Sequence, residues 1–574
     1  MTDDGKPMTD GLRPKRISHG TSAPLSYDFQ SGCWLGGSFM KTAGVLLILS
    51  MALIAPAQER ASGVPDLSNA IDRSLEVRWK KDLKGDPAPV CEDAEFLRRL
   101  SLDLRGRPAG VAEIRAFLAS ESDSKRLAKI DEYIASVEFA RLWSRRLASV
   151  LFYDYDRIPI YPGKNFNDKT TRRLTADFLT ALQDRVAKDT PLPLILAELL
   201  EAEGRTDKNP MVLYKLSMWN GDQQVFEFAD RISKSWLGIS VSCARCHDHP
   251  FDKWTQEDFY GLAGFFTKQK LKLFDNGGGQ SMGDYCDEVE LTEDPKAQEL
   301  TNPESGGQLK PTFLFGGQAG SAVKRMPTLA GFLASPKHNQ LSRNMVNRVW
   351  EWLMGRALVH PTYDFNQRNK ASIPELLEKL TADFSSEKSR YSLKKLVRAV
   401  CASKGYQRAS TRSQPGDVKD YARAMLGPLT AEQLFQSIVM ATRGGDAPPE
   451  RTTPPMPAVW TWYSGQMDLV FGPGTGWNEV TPLPGNSRQM LLIRNGEQFQ
   501  QMIRHPGGTV ATAGQLPGSP ADKVDFVFLS VLGRKPVGQE VARWADWLER
   551  KKGGPGLQDM VWTLINSTEF LTRH

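Results

Sequence analysis

The feature that most constrains this chain is a helical period that runs along most of it. In Glu92–Leu104, apolar Phe96, Leu97, Leu100 and Leu104 fall three and four residues apart, on one face of a helix. Arg98, Arg99 and Asp103 interrupt that face, and Gly106-Arg107-Pro108 stops it. The same period recurs in Ser124–Ser136, Glu138–Phe152, Thr171–Lys188, Pro191–Glu203, Phe226–Leu237 and Thr255–Phe266. It returns in Ser342–Met354, Ile373–Phe384, Leu393–Ser403 and Ala431–Thr442, and again in Asp522–Leu532, Gly538–Arg550 and Gln558–Leu571. Between these runs, residues 268–325 carry Gly277-Gly278-Gly279, Gly306-Gly307 and short strand-like pieces at Val289–Leu291 and Thr312–Phe315. The expected fold is mainly α: two helical domains, 66–267 and 326–574, with a small β/loop insertion over 268–325. The stretch Gly444–Pro484, with Trp460, Trp462, Tyr463 and Trp477, is expected to be a loop packed onto the second domain, and 506–520 a further break.

Length agrees with two domains, since 574 residues exceed what one ordinary core supports. The net charge of +6, from 73 basic and 67 acidic residues without a long basic run, gives no case for nucleic acid or an anionic membrane surface. The N-terminus stands apart. Met40-Lys41, the apolar run Ala43–Ile54 and Ala55-Pro56-Ala57 have the anatomy of a cleavable signal peptide over 40–57. Residues 1–39 then read as an extension ahead of the true start at Met40. The expectation is an exported protein of the periplasm or cell envelope. The apolar run is shorter than the roughly 20 residues a bilayer needs, so no stable membrane span is expected after cleavage.

Cysteines stand at 33, 91, 243, 246, 286 and 401, too few and too scattered for a disulfide scaffold. Two of them open the one strong constellation, Cys243-Ala244-Arg245-Cys246-His247-Asp248-His249-Pro250. Cys-x-x-Cys-His is the attachment signature of c-type haem. Two thiols at that spacing can add to the two vinyl groups of one porphyrin, and the adjacent imidazole then reaches the iron. The cofactor expected is one covalent c-type haem, held by Cys243 and Cys246 with His247 as proximal ligand. Met282 is the candidate distal ligand and His249 an alternative ligand, with His338, His360 and His505 behind them. Asp248 and Asp252 are candidates to orient the His247 ring. Trp236, Phe251, Trp254, Phe259, Tyr260, Phe265 and Phe266 are close enough in sequence to wall a pocket. The motif segment is expected at the mouth of a cleft, with His247 pointing inward. Two other readings stay open: a Cys/His metal site, and a local disulfide or packed thiols.

A weaker polar cluster, Ser342-Arg343-Asn344 with Asn347-Arg348, lies on a predicted helix as either a groove lining or a network tying helix ends to a loop. There is no Gly-x-Ser-x-Gly, phosphate loop or His-Glu-x-x-His, so no catalytic constellation is recognisable and enzyme status stays open.

With these motifs the chain resembles the planctomycete cytochrome-like two-domain family. Asp93–Arg99, Leu102–Pro108, Lys125-Arg126 and Cys243–Trp254 carry the resemblance to its N-terminal domain. Met345–Trp350, Gly355–Pro361, Asp364-Phe365, Pro374–Leu377, Leu429–Gln433 and Asn566–Phe570 carry that to its companion C-terminal domain of unknown function. The resemblance covers roughly residues 66–574 and implies a cytochrome. Where the family commonly has Asp-Asp before Phe365, this chain has Tyr363-Asp364, which puts any role for a carboxylate pair there in doubt. The functional expectation is an exported haem protein passing single electrons to an unknown redox partner or envelope protein. The alternative is a non-haem structural or interaction protein of the envelope, with the Cys/His segment as a metal or disulfide staple.

Overall fold

A computed structural model of the chain describes residues 67–83, 85–151, 159–161, 164–166, 168–219, 223–274, 285–286, 288–303, 306–320, 324–410, 418–444, 487–551 and 554–574. The signal segment 40–57, the extension 1–39, Met282 and the aromatic stretch 458–477 lie outside the described residues.

The fold is mainly α, as the period predicts. The first helices are α1 (Leu67–Asp82), α2 (Asp93–Arg105), α3 (Val111–Ala119), α4 (Lys125–Ala135) and α5 (Val137–Leu151). Then come α6 (Asp168–Ala187), α7 (Leu192–Glu201), α8 (Val212–Leu216), α9 (Gln224–Ile232) and α10 (Gln256–Ala263). After the strand-bearing stretch follow α11 (Arg325–Leu333), α12 (Gln340–Met354), α13 (Pro374–Phe384), α14 (Leu393–Ala402) and α15 (Ala431–Thr442). The C-terminal group is α16 (Ser487–Asn495), α17 (Glu497–Ile503), α18 (Thr509–Gln515), α19 (Pro520–Val531), α20 (Gly538–Lys551), α21 (Gly554–Ile565) and α22 (Thr568–Leu571).

Strands are few and short. Gln269–Phe274 and Glu288–Glu293 pair antiparallel, and Gly204–Arg205 adds to the outer side of the second. Val289–Leu291 therefore sits in a strand, as expected. Thr312–Phe315 does not. It is a turn closed by a Phe313 N–H bond to the Gly317 carbonyl, with Gly316 and Gly317 both at positive φ. That backbone turns the chain back before a ladder can form. The expected break at 506–520 also contains a helix, α18, which packs through buried Thr509, Val510 and Ala513.

Residues Val64–His574 form one compact unit. Its core runs continuously from Trp143 beside Trp352, at 5.7 Å between ring centroids, to Trp236 and to Trp350 beside Tyr421 at 5.3 Å. The polar residues that break the apolar face of α2 lie inside this core. Arg99 donates from Nη1 to the Tyr406 and Arg408 carbonyls at 2.7 and 2.9 Å. Arg98 donates to the Phe570 carbonyl at 2.9 Å. Asp103 accepts two bonds from Arg573, at 2.7 and 2.6 Å, and one from the Tyr406 hydroxyl at 2.8 Å. Buried charge is tolerated only when it is matched in this way. No helix among the described residues is long and apolar enough to cross a membrane.

Candidate functional site

The chain reaches the Cys-x-x-Cys-His segment from α9. That helix widens into a π-turn, Ser233–Leu237, and stops at Gly238, whose φ of 65° is the left-handed conformation glycine adopts without strain. Ile239 and Val241 are buried, and the chain then enters a 3-10 turn, Ser242–Arg245. Three residues per turn bring positions i and i+3 to one edge. Cys243 and Cys246 take those positions, joined by a Cys246 N–H bond to the Cys243 carbonyl at 3.4 Å. Ala244, between them, is fully buried and pins the turn to the core. Both cysteines are exposed and carry free thiols. The turn ends well before Pro250.

His247 is exposed, and its Nδ1 lies 2.7 Å from the Asp248 carbonyl oxygen. A carbonyl only accepts, so Nδ1 carries a proton, and in the neutral ring Nε2 keeps its lone pair. His249 is the reverse. Its Nδ1 accepts the Phe251 N–H at 3.3 Å, which places the proton of the neutral ring on Nε2. The two neighbouring histidines are thus in opposite tautomers, and His247 alone of the pair offers a ring nitrogen to a ligand.

The carboxylates expected to orient His247 act elsewhere. Asp248 uses its carbonyl for the ring and its Oδ1 to accept the Gln256 N–H at 2.9 Å, and Asp252 accepts the Lys253 N–H at 2.8 Å. Trp254 O accepts the His249 N–H at 2.8 Å and closes the loop. Thr255 and Asp258 then form a reciprocal capping box that starts α10.

The pocket expected from nearby aromatics does not form around the thiols. Trp236, Trp254, Phe259, Phe265 and Phe266 are buried in the core, where their large area is worth most, and Tyr260 is half-buried beside Phe226. Phe251 is 56% exposed and lies under the Arg368 guanidinium, 4.0 Å from its ring centroid. His247 therefore faces solvent and does not point inward from the mouth of an aromatic cleft.

Of the more distant candidates, His338 is engaged on both nitrogens: Nε2 with the Phe332 carbonyl at 2.9 Å, and Nδ1 accepting the Gln340 N–H at 3.1 Å. Its ring stacks on Phe315 at 4.6 Å. His505 Nδ1 accepts the Gly507 N–H at 3.2 Å, and His360 Nδ1 lies 3.9 Å from Glu351. Asp364 ties its own loop through Asn369 at 2.9 Å. Asn344, Asn347 and Arg348 are buried and bond to backbone carbonyls, so they form a tie rather than a groove. Among the described residues no three His, Cys, Asp or Glu side chains gather to hold a metal ion. The buried Cys91 and Cys401 thiols are pushed up by burial and away from thiolate chemistry.

The donor set fits a covalently attached haem. Two accessible thiols stand on one edge of a turn, beside an exposed imidazole whose Nδ1 is turned to a backbone carbonyl.

Residues 70–270 match the family model PSCyt2, described as a protein of unknown function (DUF1549). Residues 325–459 match PSD1, likewise a protein of unknown function (DUF1553). No curated protein and no solved structure matches the chain. The Cys-x-x-Cys-His turn falls inside the first match and α12 inside the second, so the chain carries a region similar to each of these two models of unknown function.

Proposed function

We propose that this chain is an exported c-type haem protein of the cell envelope that passes single electrons. The observation that carries the reading is the Cys243–His247 turn: two exposed free thiols, and a His247 ring set by the Asp248 carbonyl so that Nε2 is available. A backbone carbonyl on the far nitrogen is the usual way a ligating histidine is oriented and made more basic. Cys243 and Cys246 would each form a thioether, the S–H adding across a vinyl double bond, and His247 would bind the iron. The group, once bound, supplies a one-electron couple. The buried aromatics behind the turn do not enclose Cys243, Cys246 and His247, which stay exposed, within reach of a redox partner. Export rests on the signal anatomy of residues 40–57.

The test is the full chain made with a haem-attachment system, read by absorption and intact mass. The expected result is a Soret band and the added mass of one haem, both lost in Cys243→Ser/Cys246→Ser. A colourless protein of unmodified mass overturns the proposal. N-terminal sequencing of exported material is expected to begin near Gln58.

A further inference from the structure

Six residues before Cys243, at Leu237, the π-turn ends against α12. The end of any helix leaves carbonyls without intrahelical partners, to be met by water, a cap or another element. Here α12 meets them. Gln340 Nε2 donates to the Leu237 carbonyl at 2.8 Å, Asn344 Nδ2 to the Ser235 carbonyl at 2.7 Å, and Arg348 Nη2 to the Lys234 carbonyl at 3.1 Å. The three donors are spaced four residues apart and form one stripe along α12. All three are buried.

The stripe is braced from behind. Arg348 Nε donates to Asn344 Oδ1 at 3.2 Å, and Nη1 to Thr362 Oγ1 at 3.4 Å. Burial pulls the Arg348 guanidinium down to about 10, so it stays charged, and its donor fork intact, at neutral pH. Phe365 N–H donates to the Gly238 carbonyl at 2.8 Å. The approach is close enough that a Cβ on Gly238 would stand 2.7 Å from Asn344 Oδ1 and 2.9 Å from the Thr362 carbonyl. Between Gly238 and the 3-10 turn, Ile239 and Val241 are buried, so little slack remains to absorb a shift of the π-turn.

We infer that Gln340, Asn344 and Arg348 are positioning residues for the Cys-x-x-Cys-His turn, set in the PSD1-matched region and acting through the π-turn carbonyls of the PSCyt2-matched region. They touch neither thiol nor imidazole. They fix the direction in which the chain enters Cys243, and thereby how Cys243, Cys246 and His247 stand relative to one another. This deepens the proposed haem site and rests on it for its functional meaning, while the geometry can be read without haem.

The experiment compares the full chain with Asn344→Leu, which removes the amide donor and keeps the branched side-chain skeleton. Gln340→Leu serves as a milder second variant should the first not fold. Val397→Ala, a buried α14 change that removes none of these hydrogen bonds, serves as a control for stability loss alone. Two quantities are read: the ratio of Cys243 to Cys246 alkylation rates by iodoacetamide, mapped by peptide mass in haem-free protein, and the haem content of protein made with the attachment system. The expected result is a shift of about threefold or more in the ratio, the scale of one lost hydrogen bond, together with lower haem content, in the stripe variants and not in Val397→Ala. A wild-type ratio in both stripe variants overturns the inference. A shifted ratio in a protein that takes up no haem leaves this inference standing and removes the haem proposal.

Discussion

The polar seam of α2 and the Cys-x-x-Cys-His loop use polar residues in opposite ways. In the seam, Arg99 and Asp103 are buried and, beyond the local Arg99–Glu95 pair at 2.6 Å, are held from across the chain: Asp103 pairs with Arg573, 470 residues away, and Arg99 with Tyr406, 307 away. In the loop, Cys243, Cys246 and His247 are exposed, and the bonds that shape it are local: Asp248 to Gln256 is 8 residues, Arg245 to Gln256 is 11. The seam consumes its donors and acceptors in holding distant segments together. The loop spends backbone and neighbouring side chains on its own shape and leaves two sulfurs and one ring nitrogen outward. Dense polar sequence marks both regions. Only where the partners come from separates a structural network from a reactive one.

The sharpest way to break this contrast is Arg573→Met. It leaves Asp103 buried without its bidentate cation, and removing one member of a buried pair costs about 3–5 kcal/mol. The expected outcome in urea unfolding is a loss of that order, with wild-type alkylation rates at Cys243 and Cys246 in the folded protein. Thiol rates that change along with stability would show that seam and loop are one system. Asp103→Leu combined with Arg573→Met is expected to recover part of the loss, because it removes the stranded charge as well.

The helical period identified most of the helices because it records burial, and burial is what the fold enforces. It was silent on the seam. Arg98, Arg99 and Asp103 looked like interruptions because, apart from the Glu95 carboxylate one turn before Arg99, the partners that bury them lie more than 300 residues away in sequence, beyond any window. The motif itself was legible, since thiol spacing is local. Its setting was not. Trp236, Trp254 and Phe259 are near the thiols in sequence but turn to the core, because a short loop between two buried segments must send its large apolar side chains inward. The opposite tautomers of His247 and His249 depend on one carbonyl and one amide that only the folded loop supplies. The α12 stripe left a trace, polar residues four apart at 340, 344 and 348, but Ser342, Arg343, Asn347 and Glu351 on the same helix dilute it, and the trace does not name the carbonyls it caps.

A second test uses pH. His574, at the end of the chain, is held down to about 4, first by burial and then by the nearby Arg98 charge. Its folded value lies below its unfolded one, so the unfolded chain binds the extra proton first as pH falls. The stability this contributes is complete above about 6.5 and is lost as pH drops towards 4, up to roughly 3 kcal/mol. His574→Gln is expected to flatten unfolding free energy against pH in that window without moving the Cys243 and Cys246 rates. An unchanged slope would mean that the end of the seam is open to water.

Within the loop the effects shrink. Thr255→Ala removes the hydroxyl that accepts the Asp258 N–H at 3.2 Å and opens the capping box of α10. Loss of such a cap costs about 1 kcal/mol. Because the Gln256 N–H of the same first turn holds Asp248, the variant is expected to pair this small stability loss with faster amide exchange at Gln256 and His249. Protection unchanged at both sites would show that α10 does not set the loop.

The smallest effect tests whether anything on the solvent side of the loop ties it to the opposite half. Phe251 is the one large apolar side chain that the loop leaves exposed, and the Arg368 guanidinium covers its ring at 4.0 Å. A cation over an exposed ring contributes about 0.5–1 kcal/mol, because water competes for the charge. Arg368→Gln keeps a polar side chain, though a shorter one, and removes that charge. Since the π-turn is already held from the buried side by α12, the Phe251 contact should add little to the placement of the thiols. The expected outcome is a stability loss of no more than about 1 kcal/mol, more solvent-quenched ring signals for Phe251 in NMR, and an unaltered ratio of Cys243 to Cys246 alkylation. A shifted ratio in Arg368→Gln with a normal ratio in Asn344→Leu would invert the assignment, making the exposed aromatic contact the element that places the motif and the buried stripe a matter of stability alone.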